Sequence, residues 1–409
     1  MRAMARDLAE PAAAPLLPPR DAIRLILEHT PTLPAEELPV AADLAGRVLA
    51  EDVAATVSLP PFATSAMDGY AVRAADLAAG AIPIAFRLGA GERPRPLPPG
   101  AAAGIATGAP LPDGADAVVP VEDAAERDGE LVAAPPAAGA HVRRSGGDIG
   151  AGELVARAGV RLSPALLAAI SATGAAQVRV ARRPRLAALA TGDELVAPGR
   201  ALEPGQIYES NVIAIVAQAR AAGAEVVAAE TVRDDRAATE EAFRRAIDAD
   251  VVVSSGGVSV GPHDHVKPAL ASLGVREVFW RLAHKPGKPL WFGVAPTGAL
   301  VFGLPGNPVS SLVCFQLFLL PALAALQGGA VARRPVARLA EPVQRLRARD
   351  HAVRCRLEAG PEGMLLRPAG AQESHLIVHA AGADAIALVD AGEGEAPAGL
   401  LVEYVPLPD

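Results

Sequence analysis

Carboxylates and glycines recur at four points in this chain, each directly after a short apolar run. Asp193–Glu194 lies in Thr-Gly-Asp-Glu-Leu and Asp234–Asp235 in Arg-Asp-Asp-Arg, while Ser254–Asp264 and Gly303–Pro308 are Gly-rich. Such a pairing suits a phosphorylated ligand held with a divalent cation. Glycine lets backbone N–H groups come close to an anion, and Mg2+ takes one or two protein carboxylates beside phosphate oxygens. In an open α/β sheet, loops that follow successive parallel strands converge on one ligand crevice. The chain reads as an enzyme.

The segment Val251-Val-Val-Ser-Ser-Gly-Gly-Val-Ser-Val-Gly261 runs a β-branched strand into glycines. Ser254, Gly256, Gly257, Ser259 and Gly261 are candidate anion-binding positions, set against a plain tight turn. It is not a phosphate-binding loop of the Walker type, which needs Lys-Ser/Thr after the last glycine. Gly303-Leu-Pro-Gly-Asn-Pro308 precedes an apolar helix. Asn307 is the expected N-cap and Pro308 the first helical residue. Pro305 and Gly306 complete a turn that serves helix initiation, an anion on the free N–H groups, or both. Lys285-Pro-Gly-Lys288 offers two point charges for an oxyanion in a restricted turn. Ser65–Tyr70 places Asp68 beside Gly69, and Arg143–Asp148 combines Arg143, Arg144, Ser145, two glycines and Asp148. His263 and His265 flank Asp264 at a spacing open to a transition metal, but a third ligand is not evident.

These loops need strands and helices to carry them. From Arg185 the pattern alternates: strand Leu186–Ala190, helix from Ser210 or Asn211, strand Glu225–Val232, helix Arg236–Asp248, strand Val251–Ser254, helix Val266–Leu273, strand Ala299–Leu304 and a long apolar helix Pro308–Leu326. Alternation of this kind implies a parallel, right-handed, doubly wound sheet. The expected fold class is therefore a multidomain α/β protein. Its doubly wound domain spans 177–330, a small β insert 61–140, an N-terminal linker domain 1–60 with 141–176, and a C-terminal β domain 331–409. Within these, Arg20–His29 and Ala41–Leu49 read as amphipathic helices. Short strands are expected at Gly69–Arg73, Ile82–Gly89, Gly104–Thr107, Ala117–Val121 and Leu131–Ala133. A second set is expected at Val336–Leu339, Ala352–Glu358, Met364–Pro368, Ala385–Val389 and Gly399–Tyr404.

With 409 residues, 51% hydrophobic and 21% charged, the composition is globular and large enough for several domains. Aromatic residues are only 3% and the net charge is −8, which argues against nucleic-acid binding. Two cysteines, Cys314 and Cys355, cannot make a four-cysteine metal site and fit a reducing cytoplasm. Met1–Arg20 does not resemble a signal peptide. Val309–Leu326 approaches membrane-spanning length, but Ser310, Ser311, Gln316 and Pro321 interrupt it, so a buried helix is expected rather than a membrane span.

At these segments the chain resembles the molybdopterin molybdenumtransferases, the MoeA and gephyrin E-domain type. Pro60-Pro-Phe-Ala-Thr-Ser-Ala-Met-Asp-Gly-Tyr-Ala-Val-Arg73 carries the likeness, with Thr107–Pro110, Ser145–Ile149, Thr191–Leu195, Gly205–Tyr208, Ser254–Gly261, Lys285–Pro289 and Gly303–Ser310 following in order. The resemblance implies insertion of molybdate into the dithiolene of adenylylated molybdopterin, with release of AMP. It places Asp68, Thr107, Asp148, Glu194, Asp234 and Asp264 on functional positions, the last three as ligands of Mg2+, with Zn2+ as the other choice. Lys285, Lys288, Pro305 and Pro308 fall on binding motifs, with Arg143 or Arg144 as further oxyanion contacts. It also implies an elongated four-domain homodimer, its site between the doubly wound domain of one subunit and the β insert of the other, and pathway enzymes and acceptor molybdoenzymes as partners. Ala63 and Thr64 depart from the usual Asp-Asn, and His265 stands where a tyrosine is common. Gln372-Glu-Ser-His-Leu376 matches the family's Gly/Ser-rich turn only loosely, so the last domain receives no site role. Two other readings remain open at this point: a molybdopterin adenylyltransferase, and a non-catalytic cofactor carrier or scaffold.

Overall fold

The computed structural model describes residues 16–257 and 265–407. The chain divides into two compact units, one of residues 36–180 and one formed by the N-terminal 35 residues with 181–409.

The larger unit is built on a six-stranded sheet in the order Glu225–Val232, Arg185–Thr191, Val251–Ser255, Leu300–Leu304, Trp291–Val294, Arg276–Trp280. The first four strands run parallel; Trp291–Val294 runs antiparallel to both its neighbours, so the edge strand Arg276–Trp280 points the same way as the first four. The expected alternation holds for the parallel part. The antiparallel pair was not foreseen, because its first strand (Arg276–Trp280) is only partly buried and lacks a continuous apolar run. All five residues of Val251–Ser255 and of Leu300–Leu304 are buried, as central strands covered on both faces require. One face packs under Ile215, Val313, Phe315 and Phe318, the other under Phe243, Ala269 and Leu270.

Pro308–Leu326 is helical throughout but not uniform. An α-helix Pro308–Cys314 passes through a π-helical stretch, Phe315–Leu319, into a second α-helix, Leu320–Leu326. Its apolar window is 72% buried inside the protein, which makes it the central core helix. Gln316, the polar interruption, donates from Nε2 to Gln218 Oε1 at 2.8 Å on the neighbouring helix Asn211–Ala221.

Beyond residue 335 the five predicted strands close on themselves. Asp350–Gly360 pairs with both Gly363–Pro368 and Ala385–Val389, and the strands Val336–Leu339 and Leu401–Pro406 complete the ring. Closure removes free sheet edges. This barrel is stitched to the α/β sheet region through His284–Lys285, which pairs in parallel with Asp350–His351.

In the smaller unit, six strands form a sheet in the order Ala117–Pro120, Gly69–Val72, Ala102–Ile105, Ile82–Leu88, Glu130–Ala133, Ala124–Arg127. The expected helix Ala41–Leu49 is absent. Only Ala42–Leu44 forms a 3-10 turn, and Val48 and Leu49 bridge instead to Arg161 and Val180. Tertiary pairing overrode local periodicity there. Pro19–Glu28 is helical as expected.

Candidate active site

The topology itself selects the crevice. From Arg185–Thr191 the chain crosses to Glu225–Val232 on one side and then to Val251–Ser255 on the other. The carboxyl ends of Arg185–Thr191 and Val251–Ser255 therefore flank a topological switch point, where open α/β sheets bind ligands. A cleft of about 780 Å3 opens there. Thr191, Glu194, Asp234, Ser255, Gly256 and Gly257 line it, as do Pro305, Gly306, Asn307 and Pro308.

Two glycine turns form its floor. Gly256 donates its N–H to Leu304 O at 3.1 Å, and a side chain on Gly306 would lie 3.7 Å from Gly256 Cα. Gly257 has φ +64°, and a Cβ there would meet Val266 Cγ2 at 2.4 Å and Thr191 Oγ1 at 2.8 Å. Only glycine fits, so backbone rather than side chain faces the cleft at that point. Asn211 ties the two turns together, donating from Nδ2 to Ser255 Oγ at 2.8 Å and to Gly306 O at 2.7 Å.

Ser254 is a candidate by sequence, but strand alternation turns that residue away. Ser254 is fully buried in the sheet and Ser255 takes the cleft position. Ser259, Gly261 and Asp264, with His263, lie outside the described residues. Asn307 and Pro308 start the core helix at the expected positions. The Asn307 side chain does not cap its own helix; Nδ2 donates to Ser374 Oγ at 3.0 Å, and Ser374 O accepts from Val309 N–H at 3.1 Å. His375 lines the same cleft. The C-terminal barrel thus reaches the site through the Ser374–His375 turn, against the sequence expectation. Arg354, 2% exposed, holds that turn by donating to Ala371 O at 2.5 Å and Glu373 O at 3.3 Å.

The charge pattern of the cleft is one-sided. Glu194 and the half-buried Asp234 present carboxylates, whereas Glu209 Oε1 is occupied in accepting from Val212 N–H at 2.7 Å and so caps the helix Asn211–Ala221. Ser210, at the N-cap position, makes no capping bond with its own side chain. Among the described residues no Lys or Arg lines the cleft. Thr191 Oγ1 is buried there without a hydrogen-bond partner. Asp193 stands back from the cleft, accepting from Asp234 N–H at 3.2 Å. Among the described residues no group of three or more His, Cys, Asp or Glu is placed to hold a metal. Any ion bound by Glu194 and Asp234 would complete its shell with water or ligand oxygens, a donor set that fits Mg2+ better than a closed Zn2+ site. His265 stands at the start of the helix Val266–Ser272 and is outside the cleft lining.

Of the two lysines, Lys285 is half-buried and Lys288 exposed; neither lines the cleft, but Pro289 beside them does. Neither cysteine forms a disulfide. Burial raises both thiols, Cys355 up to about 12, so neither is a ready thiolate.

In the smaller unit, Asp68 and Thr107 meet directly, Thr107 N–H donating to Asp68 Oδ1 at 2.7 Å. Asp68 lines a shallow groove with Tyr70, Arg87 and Gly104. Tyr70 donates to Glu126 Oε2 at 2.9 Å and Arg87 to the same oxygen at 2.6 Å. Burial and then the Glu126 bond raise the Tyr70 hydroxyl above its ordinary value. The Arg143–Ile149 turn docks on the Pro60–Tyr70 motif: Gly146 N–H donates to Pro60 O at 2.9 Å, and Val142–Arg143 pairs with Thr64–Ser65. Asp148, Arg143 and Arg144 are exposed and outside the groove.

Three family models match the chain in order: "MoeA N-terminal region (domain I and II)" over residues 17–174, "Probable molybdopterin binding domain" over 187–325, and "MoeA C-terminal region (domain IV)" over 336–407. A Mycobacterium tuberculosis protein named molybdopterin molybdenumtransferase 2 is 44% identical over 298 residues, covering 69% of this chain and 73% of its own. A Staphylococcus epidermidis molybdopterin molybdenumtransferase is 32% identical over 380 residues, 88% of each chain. The crystal structure of a molybdopterin biosynthesis MoeA protein from Pyrococcus horikoshii superposes with a TM-score of 0.80 at 33% identity, covering 96% of this chain and 99% of that one. With its three consecutive regions matched and a switch-point cleft in the middle one, this chain belongs to the MoeA family of molybdopterin molybdenumtransferases.

Proposed function

We propose that the protein inserts molybdenum from molybdate into adenylylated molybdopterin and releases AMP, the last step of molybdenum cofactor synthesis. The observation that carries this reading is the acidic, glycine-floored cleft. A diphosphate facing Glu194 and Asp234, with no lining Lys or Arg among the described residues, calls for a divalent ion between them. Mg2+ held by Glu194 and Asp234, with Asp264 from outside the described residues, would neutralise charge on the diphosphate as a Lewis acid. Backbone N–H groups at Gly256–Gly257 and the Pro305–Pro308 helix start are proposed to cradle the phosphates. Lys285 and Lys288 are proposed to hold molybdate; Arg143 and Arg144, in the smaller unit, are proposed separately as oxyanion contacts. Asp68, Thr107 and Asp148 are assigned catalytic roles, Asp68 already oriented by the Thr107 N–H. In the reaction one phosphoanhydride P–O bond breaks and water supplies the replacing oxygen; the pterin's own dithiolene sulfurs displace one oxo group of molybdate, which leaves as water with the two thiol protons, so the metal keeps its oxidation state. That division of labour fits a chain whose two thiols are buried.

We further infer a cytoplasmic homodimer of four-domain subunits that hands its product to an acceptor molybdoenzyme. The deciding experiment measures AMP release from adenylylated molybdopterin with Mg2+, with and without molybdate. Molybdate-dependent release with metal retained on the pterin is expected. Binding without release under any divalent ion would favour a carrier, and ATP-dependent formation of the adenylylated pterin would favour an adenylyltransferase.

A further inference from the structure

The turn bearing the two lysines rests on a histidine that the proposed reaction has not used. His284 directly precedes Lys285, and only 1% of it is exposed. Its Nδ1 lies 2.6 Å from Pro286 O, inside the turn itself. A carbonyl only accepts, so Nδ1 carries the proton and donates. The ring stands edge-on to Phe318 of the core helix, with centroids 5.9 Å apart and planes at 87°.

The remainder of the turn is equally constrained. Leu282 N–H donates to Lys288 O at 2.8 Å, and Leu290 N–H to Gly287 O at 3.1 Å. Gly287 has φ +108°, and a Cβ there would sit 2.5 Å from Cys314 Sγ and 3.6 Å from His284 Nδ1. At Gly287 the turn thus packs closely against Cys314 and His284. The adjoining residue, Pro289, lines the cleft.

We propose that His284 is a positioning residue for the oxyanion: its Nδ1–H bond to Pro286 O fixes the backbone direction from which Lys285 and Lys288 present their ammonium groups. Lysine is a flexible point charge, so where its charge acts depends on how firmly its backbone is set. This rests on the assignment of that turn to molybdate. The alternative is a buried histidine that only fills space.

The test compares His284→Asn, which keeps a short side-chain donor, with His284→Leu, which keeps apolar volume and removes it. The expected result for His284→Leu is an increase in molybdate KM of about tenfold, the equivalent of one neutral hydrogen bond. Affinity for adenylylated molybdopterin without molybdate stays unchanged, and His284→Asn recovers most of the loss. Equal behaviour of the two variants, or a parallel loss of pterin affinity, overturns the proposal. Histidine nitrogen NMR of the wild-type protein gives an answer even where a variant does not fold: the Nδ1–H tautomer is required, and an Nε2–H tautomer refutes the donor role. A wild type lacking molybdate-dependent AMP release would sink the functional reading instead, while the tautomer would still report on the turn.

Discussion

Acid should weaken the larger unit through His284. Burial, against which the Pro286 bond and nearby His351 are smaller influences, takes this imidazole from 6.5 down to about 4. Because the folded value is depressed, the unfolded chain binds the extra proton first. Stability is therefore complete above about pH 6.5 and is lost as pH falls through the window towards 4. Across the whole window the linkage amounts to about 3 kcal/mol, of which about 2 kcal/mol is lost between pH 7 and pH 5. No reduction for solvent screening applies to a ring that is 1% exposed. Of the groups around it, the Pro286 carbonyl opposes the shift while His351 and Arg334 add to it. His351 is itself lowered by burial, and Arg20, Arg334 and Arg345 share the adjoining cavity with Asp350, Asp390 and Glu403.

Urea unfolding at about pH 7 and about pH 5, followed by tryptophan fluorescence, reads this unit alone, since both tryptophans, Trp280 and Trp291, belong to it. Wild type should lose about 2 kcal/mol more between the two pH values than His284→Leu does. Carboxylates elsewhere titrate alike in both proteins and drop out of the difference. An identical pH loss in the two proteins would mean that the ring is not held neutral by burial.

Glu194→Gln and Asp234→Asn should each lower AMP release by two orders of magnitude or more, and should flatten its dependence on added Mg2+, measured as rate against free metal. Both are solvent-facing at the cleft, so thermal unfolding should change little. Asp68→Ala should abolish turnover while circular dichroism and melting stay wild-type; undiminished turnover would remove Asp68 from the chemistry. Asn211→Ala leaves Ser255 and Gly306 without their shared donor and should cost roughly 1–3 kcal/mol in urea unfolding, with weaker pterin binding. Gly257→Ala should cost more than Asn211→Ala, because it adds a contact of 2.4 Å with Val266 in a left-handed backbone; equal melting of wild type and variant would contradict the geometry.

How far a sequence discloses a site depends on whether the information is local. The parallel strands were legible because central strands need unbroken apolar runs, as in Val251–Val253, and each ends at the residues that turn towards ligand. The start of the core helix was legible because proline at the first helical position is a local rule. Ser254 and Ser255 were not separable in this way. Which serine faces the cleft depends on the parity of a strand buried on both faces, where side-chain character gives no alternation to read.

The role of the Ser374–His375 turn was hidden for a different reason. Nothing in Gln372-Glu-Ser-His-Leu376 announces a partner, yet Ser374 occupies both Asn307 Nδ2 and Val309 N–H, residues far back in the chain. Its reach depends on a closed barrel, on the His284–Asp350 backbone pairing that joins the barrel to the α/β region, and on Arg354 donating to the carbonyls of the turn. Each is a tertiary condition that a reading of separate segments cannot supply. The same holds for His284, which looks like a chance residue ahead of Lys-Pro-Gly-Lys until Cys314 and Phe318, from the core helix, are brought against the turn and its ring. The residues that carry charge to the ligand are therefore written in motifs, whereas the residues that aim those charges are written in the packing. Substitution should separate the two sets: loss of the carboxylates Glu194 or Asp234 acts on turnover, and loss of the aiming His284 acts first on the affinity for the oxyanion that its turn directs.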